Sequence, residues 1–193
     1  IDLYLAHDFD PSVGLLETFA AFEQALDDGK IRAYGVSNFD GFQLHAAMRC
    51  GWPVAVPNSF SLLQRADEAD VLALCDASHL GYLAFGPLAG GWLTGKYRRG
   101  GPFPAGSRMT QRPEPYLSLA SERTFAALDG LAAIAAARGG SSAGVALAWL
   151  LADERVTQIV VGPGRPEHLE AVREALANPL APEERARVGE LFE

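Results

Sequence analysis

GKIRAYGVSNFD, residues 29–40, contains a helix stop, a strand and a polar turn in direct succession. Gly29 ends a run of apolar residues at helical spacing, and glycine is a common residue just beyond a helix. Residues 31–36 form an apolar run, as expected of a strand that is covered on both faces. Ser37 and Asn38 then place hydrogen-bonding side chains at the carboxyl end of that strand. This stretch is typical of a parallel α/β fold.

The same succession of elements occurs along the rest of the chain. Apolar runs predict further strands at residues 1–6, 54–56, 81–85 and 158–161. Helical patterns lie near residues 11–28, 41–49, 68–77, 119–138, 142–151, 166–176 and from Pro182 onward. Such an alternation fits either a doubly wound sheet or a (β/α)8 barrel.

Two features of the strand ends favour the barrel. Small or polar residues follow every predicted strand, and active sites of barrels are built at that rim. These residues are His7, Ser37, Asn38, Asn58, Ser59, Gly86 and Gly162. No Gly-x-Gly-x-x-Gly motif follows a strand, which disfavours the dinucleotide-binding sheet.

Composition excludes several classes of protein. The 16 basic and 24 acidic residues give a net charge of −8, which disfavours nucleic acid as a partner. The two cysteines, Cys50 and Cys75, are too few for a disulfide framework or a zinc site, and predict reduced thiols in the cytoplasm. No apolar run reaches the length of a membrane span, so no membrane contact is predicted. We expect one domain over residues 1–193, with a long functional loop at residues 90–117.

Taken singly, the polar and aromatic residues at strand ends leave two interpretations open. His7 suits a general acid, a hydrogen-bond donor to a carbonyl, or a histidine that merely holds a loop; a metal site is not expected. Ser37 and Asn38 suit an amide or ribose ligand, but also the start of a helix. Phe85 suits a ring that stacks on a planar ligand, or an aromatic core plug. Gly162 and Gly164 suit an anion site or a tight turn before a helix.

The order of the motifs resembles the aldo-keto reductase superfamily over essentially the whole chain. The segments concerned are IDLYLAHDFD (1–10), GKIRAYGVSNFD (29–40), SFSLLQR (59–65), GYLAFGPLAGGWLTGKY (81–97) and VTQIVVGPGRPEHLEAV (156–172). The resemblance implies a (β/α)8 barrel that binds NADPH and reduces aldehydes or ketones by hydride transfer. It further implies that the chain contains strands 4 to 8 of that barrel. The Asp, Tyr and Lys of the catalytic tetrad would then lie on three missing units, and this chain alone is expected to be inactive.

The resemblance also assigns roles to individual residues. His7 is the catalytic histidine that orients the carbonyl, and Trp92 and Tyr116 line the substrate pocket. The cofactor-binding residues are Ser37 and Asn38 at the carboxamide; Phe85 on the nicotinamide ring; Gly86, Pro87, Leu88, Ala89 and Gly90 along the pyrophosphate; Lys96 and Arg108 near the phosphates; and Gly162, Gly164 and His168 at the adenosine.

Three departures from the family pattern concern the cofactor. Ala171 and Val172 stand where the family commonly has a Glu-Asn pair that contacts adenine or ribose. Pro57 stands where the family usually has a Gln that contacts the carboxamide. Gly164 stands where many members have a side chain that reaches the 2′-phosphate, which leaves NAD as the alternative to NADP. Two other functions stay open: a non-catalytic subunit that binds a nicotinamide nucleotide, and a different barrel enzyme with a Schiff-base lysine. The second is limited to Lys30 and Lys96, the only lysines in the chain.

Overall fold

A computed structural model describes all residues from Ile1 to Glu193. The five predicted strands are all present, although most are shorter than their apolar runs. The strands are β1 (Tyr4–Ala6), β2 (Tyr34–Val36), β3 (Ala55–Ser59), β4 (Gly81–Phe85) and β5 (Gln158–Ile159). The helices are α1 (Leu15–Asp27), α2 (Gly41–Ala47), α3 (Val71–Ala77), α4 (Arg108–Gln111), α5 (Glu122–Ala137), α6 (Ser142–Leu151), α7 (Glu170–Ala177) and α8 (Pro182–Glu190). The chain divides into two compact units, described separately below.

Unit 1 comprises Ile1–Ser59, Ala66–Phe85 and Arg155–Gln158, and contains an array of parallel strands. Strand β1 pairs with β2, and β3 pairs with β4, both in parallel. Strands β2 and β3 are joined at one end by the Val54 amide, which donates to the Tyr34 carbonyl at 2.9 Å. At the other end the Asn38 amide donates to the Pro57 carbonyl at 3.1 Å. The carboxyl ends of these strands therefore meet at one edge.

Helix α2 begins directly after the turn that follows β2, and a capping box explains where it starts. The Asp40 carboxylate accepts from the Gln43 backbone amide at 2.8 Å, and the Gln43 side chain accepts from the Asp40 amide at 3.1 Å. Asp40 thus satisfies an unpaired amide of the first helical turn. The short connection holds Ser37 and Asn38 at the strand end, where the sequence pattern predicts them.

Unit 2 comprises Phe60–Arg65, Gly86–Glu154 and Ile159–Glu193, and is mostly helical. Helix α6 is buried along most of its length, and two guanidinium groups lie over its Trp149 ring. Those groups belong to Arg65, 5.3 Å from the ring centroid, and Arg185, 4.7 Å from it. At the start of α6 the Glu174 carboxylate accepts from both the amide and the hydroxyl of Ser141. These contacts fix α7 and α8 against α6.

One sequence-based expectation for unit 2 is corrected. Helical spacing predicts Leu169, Val172 and Leu176 on the buried face of the segment after β5. Leu176 is instead 66% exposed and Leu169 is 38% exposed, because the regular helix begins only at Glu170 and turns Ala175 towards α6.

No single helix is long and apolar enough to cross a membrane. Helices α5 and α6 together have the required length and apolar composition, but they are bent by 91° relative to each other.

Candidate functional site

The turn after β2 lies at the carboxyl edge of the sheet in unit 1 and joins three predicted site residues. The Ser37 amide donates to the carbonyl of Ala6, the last residue of β1. The Asn38 side-chain amide donates to the His7 carbonyl at 2.8 Å. Asn38 has φ 61, a left-handed conformation that asparagine tolerates better than most residues. Hydrogen bonds therefore bring together His7, Ser37 and Asn38 as the sequence predicts.

Ser37 is the buried member of this turn, and its hydroxyl donates to the Pro57 carbonyl at 2.8 Å. Because the hydroxyl proton is used in this bond, its oxygen still has lone pairs to accept an N–H from a ligand. Pro57 is itself buried within β3 and offers only that backbone carbonyl. Ser37 and Asn38 therefore present groups that are complementary to a primary amide, and Pro57 adds no side-chain hydrogen-bonding group.

Three polar residues outside the predicted site form a chain of hydrogen bonds that begins at the Asn38 amide. They are Asn58, Asp67 and Tyr82. The Asn58 side chain accepts from the Asn38 amide at 2.7 Å and donates to Asp67 Oδ2 at 2.7 Å. The Tyr82 hydroxyl donates to the same Asp67 oxygen, also at 2.7 Å. Burial raises the pKa of the Asp67 carboxyl, whereas its hydrogen bonds from Tyr82 and Asn58 lower it. The sequence pattern places Asn58 after the end of a strand, whereas in the structure it lies inside β3.

Two further features of unit 1 concern Phe85 and the side chain of His7. Phe85 is the last residue of β4, half-buried, and is in register with Ser59 of β3. The side chain of His7, just beyond β1, is exposed. Lys30, the alternative nucleophile, is exposed and forms an ion pair with Asp28 at 2.8 Å. A desolvated Schiff-base amine is therefore not found at Lys30.

In unit 2, the predicted pyrophosphate segment is a tight turn with several left-handed residues. Gly86, Ala89 and Gly90 have φ of 63, 46 and 63. The Tyr116 ring lies against Gly90, and the Lys96 side chain lies against the neighbouring Gly91. A side chain at either glycine would clash with these groups, which places one cation and one phenol directly on this backbone.

Trp92, predicted as a wall of the substrate pocket, is fully buried in unit 2. Its ring contacts the rings of Tyr97, Phe103 and Phe125, with centroids 5.0–6.2 Å away. The loop predicted at residues 90–117 contains short helical turns, and its Tyr97 and Phe103, together with Phe125 of α5, surround the indole. Its Nε1 has no hydrogen-bond partner. Trp92 is therefore a core residue, and its predicted role as a pocket wall is not retained.

The remaining predicted residues lie on exposed parts of unit 2. Arg108 begins the short helix α4, and Tyr116 is half-buried in the turn Glu114–Leu119. Gly162, Gly164 and His168 are all exposed. The segment after them starts as the 3-10 turn Pro166–Leu169, so the regular helix begins later than predicted and does not directly follow Gly164. No cluster of three or more His, Cys, Asp or Glu side chains has metal-binding geometry.

The two cysteines are free, and they differ in burial in a way that predicts different reactivity. Cys75 is completely buried in α3, and burial raises the pKa of its thiol to about 12. Cys50 is only half-buried. Because the thiolate is the reactive form, we expect Cys75 to react with iodoacetamide at pH 8 more slowly than Cys50 by about two orders of magnitude. Mass spectrometry of the alkylated native protein measures both rates.

Matched variants control this labelling experiment. Cys50→Ser should abolish the fast reaction, and Cys75→Ser should leave it unchanged. Both thiols should react at similar rates in denaturant. Rapid alkylation of Cys75 in the native protein would contradict the burial described here.

Comparison with known proteins covers the whole chain. The profile of the aldo/keto reductase family matches residues 1–193. An L-glyceraldehyde 3-phosphate reductase from Escherichia coli O157:H7 is 34% identical over 188 residues, which is 92% of this chain and 54% of that protein. A putative voltage-gated potassium channel subunit beta from Schizosaccharomyces pombe is 32% identical over 186 residues, which is 88% of this chain and 52% of that protein. The chain thus spans about half the length of these curated relatives.

A solved structure agrees with this assignment. The glycerol dehydrogenase from Gluconobacter oxydans superposes with a TM-score of 0.85 at 29% identity, over 100% of this chain and 58% of that one. This match supports the predicted α/β fold, whereas the identity of these strands as the fourth to eighth of a barrel stays a prediction. Because the family profile spans every residue, the family expected from the motifs is confirmed: the chain belongs to the aldo/keto reductase family.

Proposed function

We propose that this protein is an NADPH-dependent oxidoreductase that reduces aldehydes or ketones by hydride transfer. Membership of the family and the reductases among its relatives support an oxidoreductase that acts on a small carbonyl compound. The observation that carries the proposal is the turn of Ser37 and Asn38, which presents an unused hydroxyl lone pair and a side-chain amide at the edge of the sheet. Those groups are complementary to a carboxamide, the one primary amide of a nicotinamide cofactor.

In unit 1, the residues at strand ends fit the nicotinamide half of the cofactor. Ser37 accepts an amide N–H of the carboxamide, and Asn38 binds its oxygen or its second N–H. The ring of Phe85 packs on the nicotinamide face. The exposed imidazole of His7 donates to the oxygen of the substrate carbonyl and orients it. When bound, NADPH supplies the hydride that reduces the carbonyl carbon.

In unit 2, the backbone of Gly86–Gly90 and the Lys96 ammonium fit phosphate groups. Glycines allow a ligand to approach the backbone closely, and the cation neutralises part of the phosphate charge. Arg108 adds a second cation, Tyr116 contacts the substrate, and Gly162, Gly164 and His168 hold the adenosine. Because Gly164 offers no side chain to a 2′-phosphate, NAD is the alternative cofactor. The free thiols of Cys50 and Cys75 are in keeping with a reducing cytoplasm, which stays a prediction.

Titration with NADPH, followed by the fluorescence of its nicotinamide, tests this proposal. We expect Asn38→Gly to weaken NADPH binding about tenfold, since one to two hydrogen bonds are lost and glycine keeps the left-handed backbone. Adenosine 2′,5′-bisphosphate lacks the nicotinamide, and its Kd should stay within about twofold of wild type.

His79→Gly is the matched control, because His79 is exposed in unit 1 and has a similar left-handed φ of 56. It should change neither Kd. The proposal fails if the wild-type protein binds no NADPH, or if Asn38→Gly and His79→Gly behave alike. Since this chain alone is expected to be inactive, the reductase activity is tested separately, by turnover of an aldehyde panel that includes L-glyceraldehyde 3-phosphate in a protein that also supplies the tetrad Asp, Tyr and Lys.

A second function is favoured by one specific similarity. The 32% identity to a putative voltage-gated potassium channel subunit beta suggests a non-catalytic subunit that binds a nicotinamide nucleotide. Both functions predict NADPH binding, and this chain alone is expected to be inactive under either, so turnover is compared in a protein that also supplies the tetrad Asp, Tyr and Lys. Bound NADPH that persists unoxidised there with every aldehyde and ketone tested would favour the subunit.

A further inference from the structure

Asn58 bonds to the turn after β2 at two backbone groups, the amide of Asn38 and the carbonyl of Phe39. Its Oδ1 accepts from the Asn38 amide at 2.7 Å, and its Nδ2 donates to the Phe39 carbonyl at 2.8 Å. The side chain is 5% exposed, so water cannot readily replace these bonds. A non-glycine residue at φ 61 has a strained backbone, and both bonds help to offset that strain. Asn58 therefore stabilises the conformation from which the Asn38 side chain extends.

Asp67 determines the orientation of the Asn58 side-chain amide, that is, which of Oδ1 and Nδ2 faces the Asn38 backbone amide. Its Oδ2 is 2.7 Å from Asn58 Nδ2, and an ionised carboxylate can only accept. The NH2 group of Asn58 must therefore face Asp67 and Phe39, which leaves Oδ1 facing the Asn38 amide. With the amide reversed, Oδ1 would face the Asp67 oxygen and the NH2 group would face the Asn38 N–H.

Tyr82 fixes Asp67 from another element of unit 1. Tyr82 lies within β4, completely buried, and its hydroxyl donates to Asp67 Oδ2 at 2.7 Å. Asp67 itself lies in the 3-10 turn Ala66–Glu68, so three separate elements meet at this oxygen. Two titratable groups of α3 interact electrostatically with this carboxyl. They are Asp70, the N-cap residue of the helix, and the Cys75 thiol.

We propose that Asn58, Asp67 and Tyr82 form a positioning network that sets the geometry of Asn38 for recognition of the nicotinamide carboxamide. This inference rests on the proposed function. The network matters more here because Pro57 has no side-chain amide to share the contact. In this proposal the three residues make no contact with the cofactor; each acts through the next, and the network reaches the carboxamide through Asn38.

The test combines amide exchange at Asn38 with ligand binding. Asn58→Leu removes both Asn58 bonds to the turn and leaves the Asn38 amide only its longer bond, of 3.1 Å, to the Pro57 carbonyl, so hydrogen exchange of this amide is expected to accelerate about tenfold. It should weaken NADPH about tenfold and leave the Kd of adenosine 2′,5′-bisphosphate unchanged. Tyr82→Phe keeps the ring and should have a smaller effect of the same kind, about two- to threefold.

A conservative pair at position 67 separates positioning from mere stability. Asp67→Asn retains an oxygen that accepts from both donors and should preserve the preference for NADPH. Asp67→Leu removes that acceptor and should behave like Asn58→Leu. If Asn58→Leu does not fold, Tyr82→Phe and Asp67→Leu carry the same comparison.

The results distinguish failure of the network from failure of the proposed function. Unchanged Asn38 exchange in Asn58→Leu and Asp67→Leu overturns the network, as does equal weakening of both ligands. If the wild-type protein binds no NADPH, the proposed function is wrong and the network has no carboxamide to serve; the exchange rates still show whether it holds Asn38.

Discussion

Replacement of Trp92 by alanine is expected to lower the free energy of unfolding by about 3–5 kcal/mol. The indole is completely buried among the rings of Tyr97, Phe103 and Phe125, so truncation leaves a cavity that these rings cannot fill without moving. Chemical denaturation followed by far-UV circular dichroism measures the loss.

Trp92→Phe is the informative companion variant. It keeps an aromatic ring in the cluster and removes an indole N–H that has no hydrogen-bond partner. The free energy of unfolding should therefore fall by less than half of the loss expected for Trp92→Ala. The substrate-wall role implied by the family resemblance predicts a different pattern. Stability within about 0.5 kcal/mol of wild type, together with a changed KM for the carbonyl substrate, would show that Trp92 faces a pocket.

Gly35→Ala is expected to lower the free energy of unfolding by about 3 kcal/mol, which is near the upper end of the losses caused by overpacking a core. A Cβ at Gly35 would clash with the backbone carbonyl of Ala55 on β3 and lie 2.8 Å from Leu5 Cδ2 on β1. Since the first neighbour is backbone, β2 and β3 would have to separate to make room. The loss is measured by denaturation, as for Trp92.

Gly14→Ala makes the same chemical change where space is open. Nothing lies within 4 Å of a Cβ at Gly14, so the free energy of unfolding should change by no more than about 0.5 kcal/mol. Equal effects of the two variants would mean that the close approach of β2 to β3 does not limit the size of residue 35.

The strands and most helices could be predicted because local patterns specify them. Ser141 caps α6, and Gly29 follows the end of α1, as expected from capping preferences. Strand β3 was predicted too short, since proline lacks the amide that a central strand needs. In the structure Pro57 lies inside β3, where its carbonyl accepts from the Ser37 hydroxyl and the Asn38 amide.

The candidate site was predictable only where its residues follow strands. Ser37 and Asn38 could be identified from position, because carboxyl ends of parallel strands share one edge. Asp67 and Tyr82 could not, since Tyr82 counts as an apolar strand residue and Asp67 lies in a short turn. Trp92 was misassigned because a glycine-rich loop with no periodic pattern suggested an open pocket rather than a packed aromatic cluster.

The parallel pairing in unit 1 also has a consequence for the order of folding. Neighbouring strands are close in sequence: Tyr4 pairs with Tyr34, and Ala55 with Gly81. The Thr157 hydroxyl, by contrast, accepts from the Tyr82 amide across 75 residues. Closing that longer loop costs more chain entropy, so the contact gains little until both ends are already ordered. We therefore expect β1 to β4 to assemble first and Thr157 to dock on a preformed sheet edge.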